Sequence, residues 1–259
     1  MDLKGKTVFV TGATSGIGEA CARAFASKGS GLILSARRKD VLEEKAAEIK
    51  KEYGVPAEVF ALDVRSRKAV FALADELAAK KLVPDVLVNN AGLARGLSKI
   101  QDGNVDEWEE MIDTNVKGLL YVSRAILPLM VARNYGHVVN IGSLAGRIVY
   151  PAGNVYNATK FAVDALSQAM NLDLAGTNIR VSLIEPGMVK TNFSAVRFSG
   201  DTAKAADVYE GVRYLTGRDI ADAVLYIVQA PDNVNIQSLL IMPVDQRNPY
   251  IIHREKNSQ

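Results

Sequence analysis

The sequence predicts a single-domain α/β protein, in which seven strands form a mostly parallel, doubly wound sheet with helices on both faces. Short apolar, β-branched runs alternate with amphipathic helical patterns along almost the whole chain. Polar and glycine-rich motifs follow the strand ends, which is where open α/β sheets bind ligands. The length of 259 residues fits one large domain, and no internal repeat, linker or low-complexity run interrupts it.

Each element is assigned from its local pattern. Strands are predicted where short apolar runs end in turns, at residues 7–10, 32–34, 57–62, 86–88, 138–141, 179–184 and 238–242. Helices are predicted between a glycine turn and Gly29, and at residues 40–53, 67–80, 106–134, 155–174 and 220–229. Residues 190–214 are polar and irregular and are predicted to form a substrate lid, and residues 243–259 a C-terminal tail.

Composition argues against several classes of protein. A net charge of +2 offers no bulk field for nucleic acid or a membrane surface. No apolar run approaches the length of a bilayer span, and the polar start of the chain shows no signal peptide. One cysteine, Cys21, excludes an internal disulfide and is consistent with a reducing compartment, so a cytoplasmic location is expected. No set of metal ligands is visible.

A glycine-rich turn joins the first strand to the first helix. It reads Thr11-Gly12-Ala-Thr-Ser15-Gly16-Ile-Gly18, in the strand–turn–helix context of a Rossmann-type nucleotide loop. Glycines let the backbone approach a pyrophosphate, and the helix N-terminus offers free N–H groups. Its Gly-x-x-x-Gly-x-Gly spacing differs from the general dinucleotide fingerprint, and a plain tight turn is the alternative.

The second strand is followed by Ser35-Ala36-Arg37-Arg38 rather than by the carboxylate that binds a ribose 2′-hydroxyl. A guanidinium suits a 2′-phosphate through charge and paired hydrogen bonds. Arg37 and Arg38 therefore predict NADP rather than NAD. The alternative is a solvated charge pair at a helix start, where cations are disfavoured.

Polar motifs also end three later strands. Asp63, followed by Val64, is a candidate acceptor for the adenine amino group or belongs to the N-cap region of the next helix. Asn89-Asn90-Ala91-Gly92 offers small and amide side chains at a strand end. The Pro-Gly turn within residues 185–191 is a further place where backbone can meet a ligand.

Tyr156 and Lys160 lie four positions apart in a predicted helix, so both side chains share one face. A free tyrosine has a pKa of about 10, and a nearby ammonium is expected to lower it. The Ser143 hydroxyl, just past the fifth strand, could polarise a carbonyl or hold an alcohol. Asn115 lies inside a long helix, either supporting a bend or a water or simply occupying a partly exposed face.

Taken together, these motifs resemble the classical short-chain dehydrogenase/reductase family over residues 5 to about 245. The resemblance implies that Tyr156 is the general acid/base, that Lys160 assists it and holds the nicotinamide ribose, that Ser143 orients the substrate oxygen, and that Asn115 anchors a water. It implies cofactor contacts from the glycine loop, the second and third strand ends, and the later turns, at Gly12, Thr14, Ser15, Gly16, Ile17, Arg37, Arg38, Asp63, Val64, Asn90, Ala91, Gly92, Tyr156, Lys160, Pro186, Gly187, Val189 and Thr191.

Within that family, residues 192–201 and the Ile-His-Arg run at 252–254 are similar to the NADP-dependent 3-hydroxy acid dehydrogenases. This resemblance implies a homotetramer acting on serine, allo-threonine or a related small 3-hydroxy acid. A buried carboxylate needs a cation, and the candidates are Arg197 in the lid, Arg147 after Ser143, and Arg254 in the tail. The alternatives are a reductase of a 3-oxoacyl thioester, sugar or steroid ketone, and a nucleotide sensor without chemistry.

Overall fold

Seven parallel strands form the central sheet of the computed structural model, which describes residues 1–198 and 200–255. The strands are Thr7–Thr11 (β1), Gly31–Ala36 (β2), Ala57–Ala61 (β3), Val86–Asn89 (β4), Gly136–Ile141 (β5), Ile179–Pro186 (β6) and Ser238–Ile241 (β9). Their order is β3-β2-β1-β4-β5-β6-β9, and every pairing is parallel. The predicted sheet is confirmed. The strand order changes direction between β1 and β4. The crevice that forms at this topological switch point lies beside the glycine turn.

Helices cover both faces of the sheet, as predicted. On one face lie Gly16–Ser27 (α1), Lys39–Tyr53 (α2) and Gly217–Gln229 (α9). On the other lie Arg67–Ala79 (α3), Leu119–Arg133 (α5) and Asn154–Asp173 (α6). The strand side chains alternate between the two cores: Val8 and Val10 pack with α1, whereas Phe9 packs with α3 and α5.

The predicted helix at 106–134 is one continuous rod whose middle turn is wider than the rest. Val105–Ile112 (α4) passes through a π-helical segment, Asp113–Gly118, into α5. Val105–Arg133 is long and apolar enough to cross a bilayer by length and composition, which corrects the expectation that nothing in the chain reaches that length. Nearly half of its most apolar part is buried inside the fold, where Val122, Ile126 and Met130 join the core. We therefore interpret it as a core helix.

The lid is more ordered than its composition predicted. It contains two short helices, Phe193–Arg197 (α7) and Thr202–Asp207 (α8), and begins and ends in a two-strand pairing of Val189–Lys190 (β7) with Leu215–Thr216 (β8). The tail turns back on itself through a bridge between Gln246 and Ile252. Ser199 of the predicted lid and residues 256–259 of the predicted tail lie outside the described residues.

His137 in β5 is a buried residue with a structural role. Its Nε2 atom lies 2.8 Å from the Ser182 hydroxyl, and the side chain is inaccessible to solvent. Burial, aided by the charge of Arg180, lowers the pKa of His137 from 6.5 to about 3. The folded state thus binds one proton fewer than the unfolded state between these pH values.

Acid should therefore destabilise the fold as the pH falls below 6.5. The unfolded chain gains a proton at His137 that the folded chain excludes, so the loss is about 2 kcal/mol between pH 7.5 and pH 5. Urea unfolding at both pH values would measure it. His137→Asn should lack this part of the loss, even if it is less stable at pH 7.5; an unchanged acid sensitivity would contradict the assignment.

Candidate active site

A cavity of about 640 Å³ opens at the carboxyl edge of the sheet, a size typical of small-molecule sites. It is lined by the glycine turn, the loops after β4, β5 and β6, the start of α6, the lid and the tail. The sequence had separated these segments by up to 240 residues, and the parallel sheet brings them to one edge.

The glycine turn forms a cradle with exposed backbone N–H groups. Gly12 and Gly16 have φ values of 68° and 60°, which favour glycine. A Cβ atom on Gly18 would lie 2.4 Å from both the Asn90 amide nitrogen and the Gly12 carbonyl oxygen, so this helix turn tolerates only glycine. The N-cap residue Ser15 makes no side-chain cap bond, which leaves the first amides of α1 available to an anion. This geometry fits a pyrophosphate.

The Asn-Asn-Ala-Gly segment after β4 fastens this cradle to the sheet. Asn90 donates from its side chain to the Thr11 carbonyl at 2.8 Å and to the Gly12 carbonyl at 3.2 Å. In return the Thr11 hydroxyl accepts from the amides of Asn90 and Ala91. Thr191 packs over the opposite side, about 3.1 Å from where a Gly16 Cβ would stand.

Arg37 and Arg38 stand exposed just past the end of β2. The Arg38 guanidinium lies 3.5 Å from the Thr14 hydroxyl of the glycine turn. No acidic side chain occupies position 36, where Ala36 is buried. The pair is therefore placed beside the cradle with both side chains exposed, as binding of a ribose phosphate requires.

Asp63 is not the N-cap of the next helix, because Ser66 caps α3 by accepting from the Ala69 amide. The Asp63 carboxylate is instead held by the Arg65 guanidinium at 2.6–3.0 Å, which keeps its pKa below the usual range. Val64 is buried against Gly118 of the π-helical segment.

Tyr156 and Lys160 line the same cleft as their spacing predicted, and Ser143 lines it too. Tyr156 is 7% exposed, and its ring packs 5.6 Å from that of Phe193 in the lid. The Lys160 ammonium is buried, donates to the Ile141 carbonyl at 2.9 Å, and lies 5.9 Å from the centre of the Tyr156 ring. Ser143 begins a short 3₁₀ turn, and its hydroxyl accepts from the Ala145 amide.

Burial has the largest effect on the pKa values of Tyr156 and Lys160. It raises the pKa of Tyr156, with a further contribution from Tyr150, while the Ser143 side chain and the charge of Arg197 act in the opposite direction. The expected net lowering of the Tyr156 pKa by Lys160 is thus corrected: desolvation of the phenolate outweighs the Ser143 hydrogen bond and the charge of Arg197. Burial also lowers the pKa of Lys160 to about 8, so its ammonium loses its proton as the pH rises through that value.

Asn115 lies in the π-helical segment and is 2% exposed, which rules out the partly exposed face. Its side-chain amide pairs with both backbone groups of Leu93 at 2.8 Å and also donates to the Thr159 hydroxyl. A Gly92 Cβ would stand 3.2 Å from the Asn115 oxygen and 3.8 Å from the Lys160 nitrogen. Asn115 therefore joins the π-helical segment to the β4 loop and to α6.

The three candidate arginines have different surroundings. Arg197 lines the cavity, with its guanidinium 5.3 Å from the centre of the Tyr156 ring and 2.7 Å from the Tyr150 hydroxyl. Arg147 does not line it: its guanidinium forks onto the buried carboxylate of Glu185 and reaches Ser238, which removes it as a carboxylate anchor. Arg254 lines the cavity but donates to backbone carbonyls at the end of α8, including that of Val208.

Of the cavity residues that were not singled out from the sequence, two make contacts that shape the site. Tyr150 holds Arg197, and Gln246 of the tail accepts from the Met188 amide at 2.8 Å. A Cβ on Gly187 would collide with that Gln246 oxygen at 2.5 Å, which explains the glycine after Pro186. Neither residue stands in a motif, so only the folded chain reveals them. Within residues 1–198 and 200–255, no three His, Cys, Asp or Glu side chains are grouped to hold a metal ion.

Comparison with known proteins agrees with this geometry. The family model of the short chain dehydrogenases matches residues 6–201. An NADP-dependent 3-hydroxy acid dehydrogenase of Escherichia coli K12, YdfG, is 46% identical over 250 residues, which are 96% of this chain and 99% of that protein. One of Schizosaccharomyces pombe is 40% identical over 255 residues, 98% of each chain.

Among solved structures, the closed form of a serine dehydrogenase complexed with NADP⁺ superposes with a TM-score of 0.89 at 45% identity, covering 96% of this chain and all of that one. These relatives and this solved structure match the chain over nearly its full length. This chain belongs to the short-chain dehydrogenase/reductase family.

Proposed function

We propose that this protein is an NADP-dependent oxidoreductase that transfers a hydride between NADP(H) and the hydroxyl-bearing carbon of a small 3-hydroxy acid such as serine or allo-threonine. The observation that carries the proposal is the Arg197 guanidinium inside the cleft, 5.3 Å from the centre of the Tyr156 ring. The names of two relatives, NADP-dependent 3-hydroxy acid dehydrogenase and serine dehydrogenase, support it.

The cofactor would supply or accept the hydride, and the residues of this chain would hold it. The glycine cradle from Gly12 to Ile17, with its free helix amides, is suited to the pyrophosphate. Arg37, Arg38 and Thr14 would take the 2′-phosphate. The adenine would lie near Asp63 and Val64, and the nicotinamide riboside would lie near Asn90, Ala91, Gly92, Tyr156, Lys160, Pro186, Gly187, Val189 and Thr191.

Proton transfer is the task of Tyr156. In the oxidative direction its phenolate would take the proton of the substrate hydroxyl, while Ser143 holds the same oxygen. Because burial raises its pKa, Tyr156 is held as the neutral phenol, which is the protonation state that the reductive direction needs. Lys160 and Arg197 both stand within 6 Å of the ring centre and stabilise the phenolate when it forms.

Arg197 would fix the substrate carboxylate. Its Nε atom donates to the Gly96 carbonyl and one terminal nitrogen to the Tyr150 hydroxyl, so the fork is held in place while the remaining N–H donors stay available. A small acid has its hydroxyl-bearing carbon close to its carboxylate, and the arginine stands correspondingly close to Tyr156. An exposed entrance for a thioester chain is not needed.

We also propose a cytoplasmic homotetramer, from the resemblance and from apolar side chains on α6 and the long helix that no part of the described chain covers. Leu172 is 77% exposed and Phe161 41%. Helix faces of this kind are suited to packing against another copy. Sedimentation velocity would show a species of about four chains, whereas a monomer would contradict this part of the proposal.

NADP preference should depend on Arg37 and Arg38. Replacing both with alanine should weaken NADP(H) binding by about tenfold or more per arginine, since charged hydrogen bonds contribute roughly 1.5–3 kcal/mol each. NAD(H), which lacks the 2′-phosphate, should be much less affected. Binding titrations with both cofactors measure this, and equal losses would mean that the arginines only stabilise the fold.

A panel of substrates tests the reaction class. Initial rates of NADP⁺ reduction with small 3-hydroxy acids should exceed those of NADPH oxidation with a 3-oxoacyl thioester, a sugar ketone or a steroid ketone at equal concentrations. A preference for one of these ketones would replace the proposed substrate, and no turnover of any member would favour a nucleotide sensor.

A further inference from the structure

The lid helix α7 is joined to the loop after β4 by a set of reciprocal hydrogen bonds. The Gly96 amide donates to the Arg197 carbonyl at 2.9 Å, and the Arg197 side chain donates back to the Gly96 carbonyl at 3.2 Å. One residue earlier on each side, Arg95 donates from a terminal nitrogen to the Val196 carbonyl at 2.8 Å. These bonds cross about 100 positions of sequence and end on the residue proposed to hold the substrate.

Arg95 is itself firmly placed. Its Nε atom lies 2.7 Å from one carboxylate oxygen of Glu110 and its other terminal nitrogen 3.3 Å from the second, a paired arrangement. Glu110 belongs to α4, which is packed into the fold, and is also 3.6 Å from Arg65. Both side chains of the Arg95–Glu110 pair are about four-fifths covered, so solvent screens the pair less than an exposed one.

Gly96 has a backbone conformation and a position against α4 that favour glycine. Its φ is 55°, in the left-handed region, and a Cβ atom there would lie 2.8 Å from a Glu107 carboxylate oxygen. The Val196 and Arg197 carbonyls belong to the last two residues of α7, and the Val196 carbonyl also accepts from the Phe198 amide. The loop thus adds hydrogen-bond donors to two carbonyls at the end of this short helix.

We propose that Arg95 is a positioning residue: held by Glu110, it latches the C-terminal end of α7 to the sheet edge and so keeps the Arg197 guanidinium beside Tyr156. Arg95 does not line the main cavity, so its effect on substrate passes through Arg197. Selection of acids over neutral alcohols then depends on a residue that contacts neither. This inference rests on the proposed function, since it assigns Arg197 the substrate carboxylate.

Arg95→Met tests the latch, because it keeps an unbranched side chain while removing every donor. We expect KM for L-serine to rise about tenfold or more, while kcat for L-serine changes by less than about threefold. With serinol, which lacks the carboxylate, both constants should change by less than about twofold. Arg95→Lys, which keeps one donor and the charge, should restore part of the loss, and Glu110→Gln should show a smaller effect in the same direction.

Arg133→Met is the matched control. Arg133 also bridges backbone carbonyls, those of Val83 and Pro84, and a carboxylate, that of Asp85, but it does so at the amino edge of the sheet. The loss of the Arg133 side chain should leave the ratio of kcat/KM for L-serine to kcat/KM for serinol unchanged. An Arg95→Met enzyme with equal losses for acid and alcohol, or with an unchanged KM for the acid, would overturn the latch.

Limited proteolysis separates failure of the latch from failure of the proposed function. Trypsin sites within the lid include Lys190, Lys204 and Arg213, and opening of α7 should speed cleavage there about fivefold in Arg95→Met but not in Arg133→Met. If the wild type oxidises no acid but the lid still loosens, the latch stands and the substrate is wrong. Unchanged cleavage would overturn the latch whatever the substrate.

Discussion

Tyr156→Phe is expected to abolish turnover while leaving NADP(H) binding nearly intact. The substitution removes only the hydroxyl that exchanges a proton with the substrate. The ring remains, and its packing against Phe193, Leu93 and Met111 does not depend on the oxygen. The pocket around the cofactor should therefore keep its shape. A loss in kcat of at least about a hundredfold is typical when a general acid/base is deleted.

Steady-state kinetics and cofactor titration together measure this expectation. Tyr150→Phe is the matched control: its hydroxyl bonds Arg197, so its loss should raise KM for an acid and change kcat by less than about threefold. Lys160→Ala should lose both turnover and cofactor affinity, because its ammonium serves both. If Tyr156→Phe keeps more than about a tenth of the wild-type kcat, a loss below ~1.4 kcal/mol, then Tyr156 is not the proton carrier.

Arg197→Met should reduce kcat/KM for L-serine by about a hundredfold and hardly change that for a neutral alcohol of similar size. A substrate carboxylate left without its cation in a covered pocket loses roughly 1.5–3 kcal/mol for each charged hydrogen bond. Methionine preserves most of the apolar stem that packs beside the Tyr156 ring, so the effect on the alcohol should stay small. Arg197→Lys should recover part of the charge but not the paired geometry.

Arg147→Met provides a second comparison for this experiment. It leaves the buried Glu185 carboxylate without its cationic partner and should lower the stability of the fold. The ratio of kcat/KM for the acid to kcat/KM for the alcohol should not change, because Arg147 lies outside the cavity. Equal losses of kcat/KM for acid and alcohol in Arg197→Met would show that Arg197 does not bind the carboxylate. A changed ratio of the two kcat/KM values in Arg147→Met would assign the carboxylate to Arg147 instead.

Short-range sequence patterns predicted the strands, turns and helix faces, whose structure depends mainly on neighbouring residues. Apolar runs located the strands of the central sheet to within one or two residues, and the glycine motif predicted the turn between β1 and α1. The four-residue interval between Tyr156 and Lys160 was sufficient to place both in the cleft, because a helix fixes that geometry.

Contacts between distant segments decided what the sequence left open. Arg147 and Arg197 were both candidates beside the catalytic group, and only the buried position of Glu185 on β6 shows that Arg147 is already bound. The pKa of Tyr156 was expected to fall because a cation was visible in the sequence, whereas the extent of burial was not. Gln246 lies in a tail whose return to the cleft no local pattern specifies.

The most direct test of the account compares L-serine with serinol, which replaces the carboxylate by a hydroxymethyl group, in NADP⁺ reduction by the wild-type enzyme. If Arg197 receives the carboxylate, kcat/KM for L-serine should exceed that for serinol by about a hundredfold, or roughly 3 kcal/mol. The preference should disappear in Arg197→Met. Equal kcat/KM values in the wild type, or serinol as the better substrate, would contradict the account.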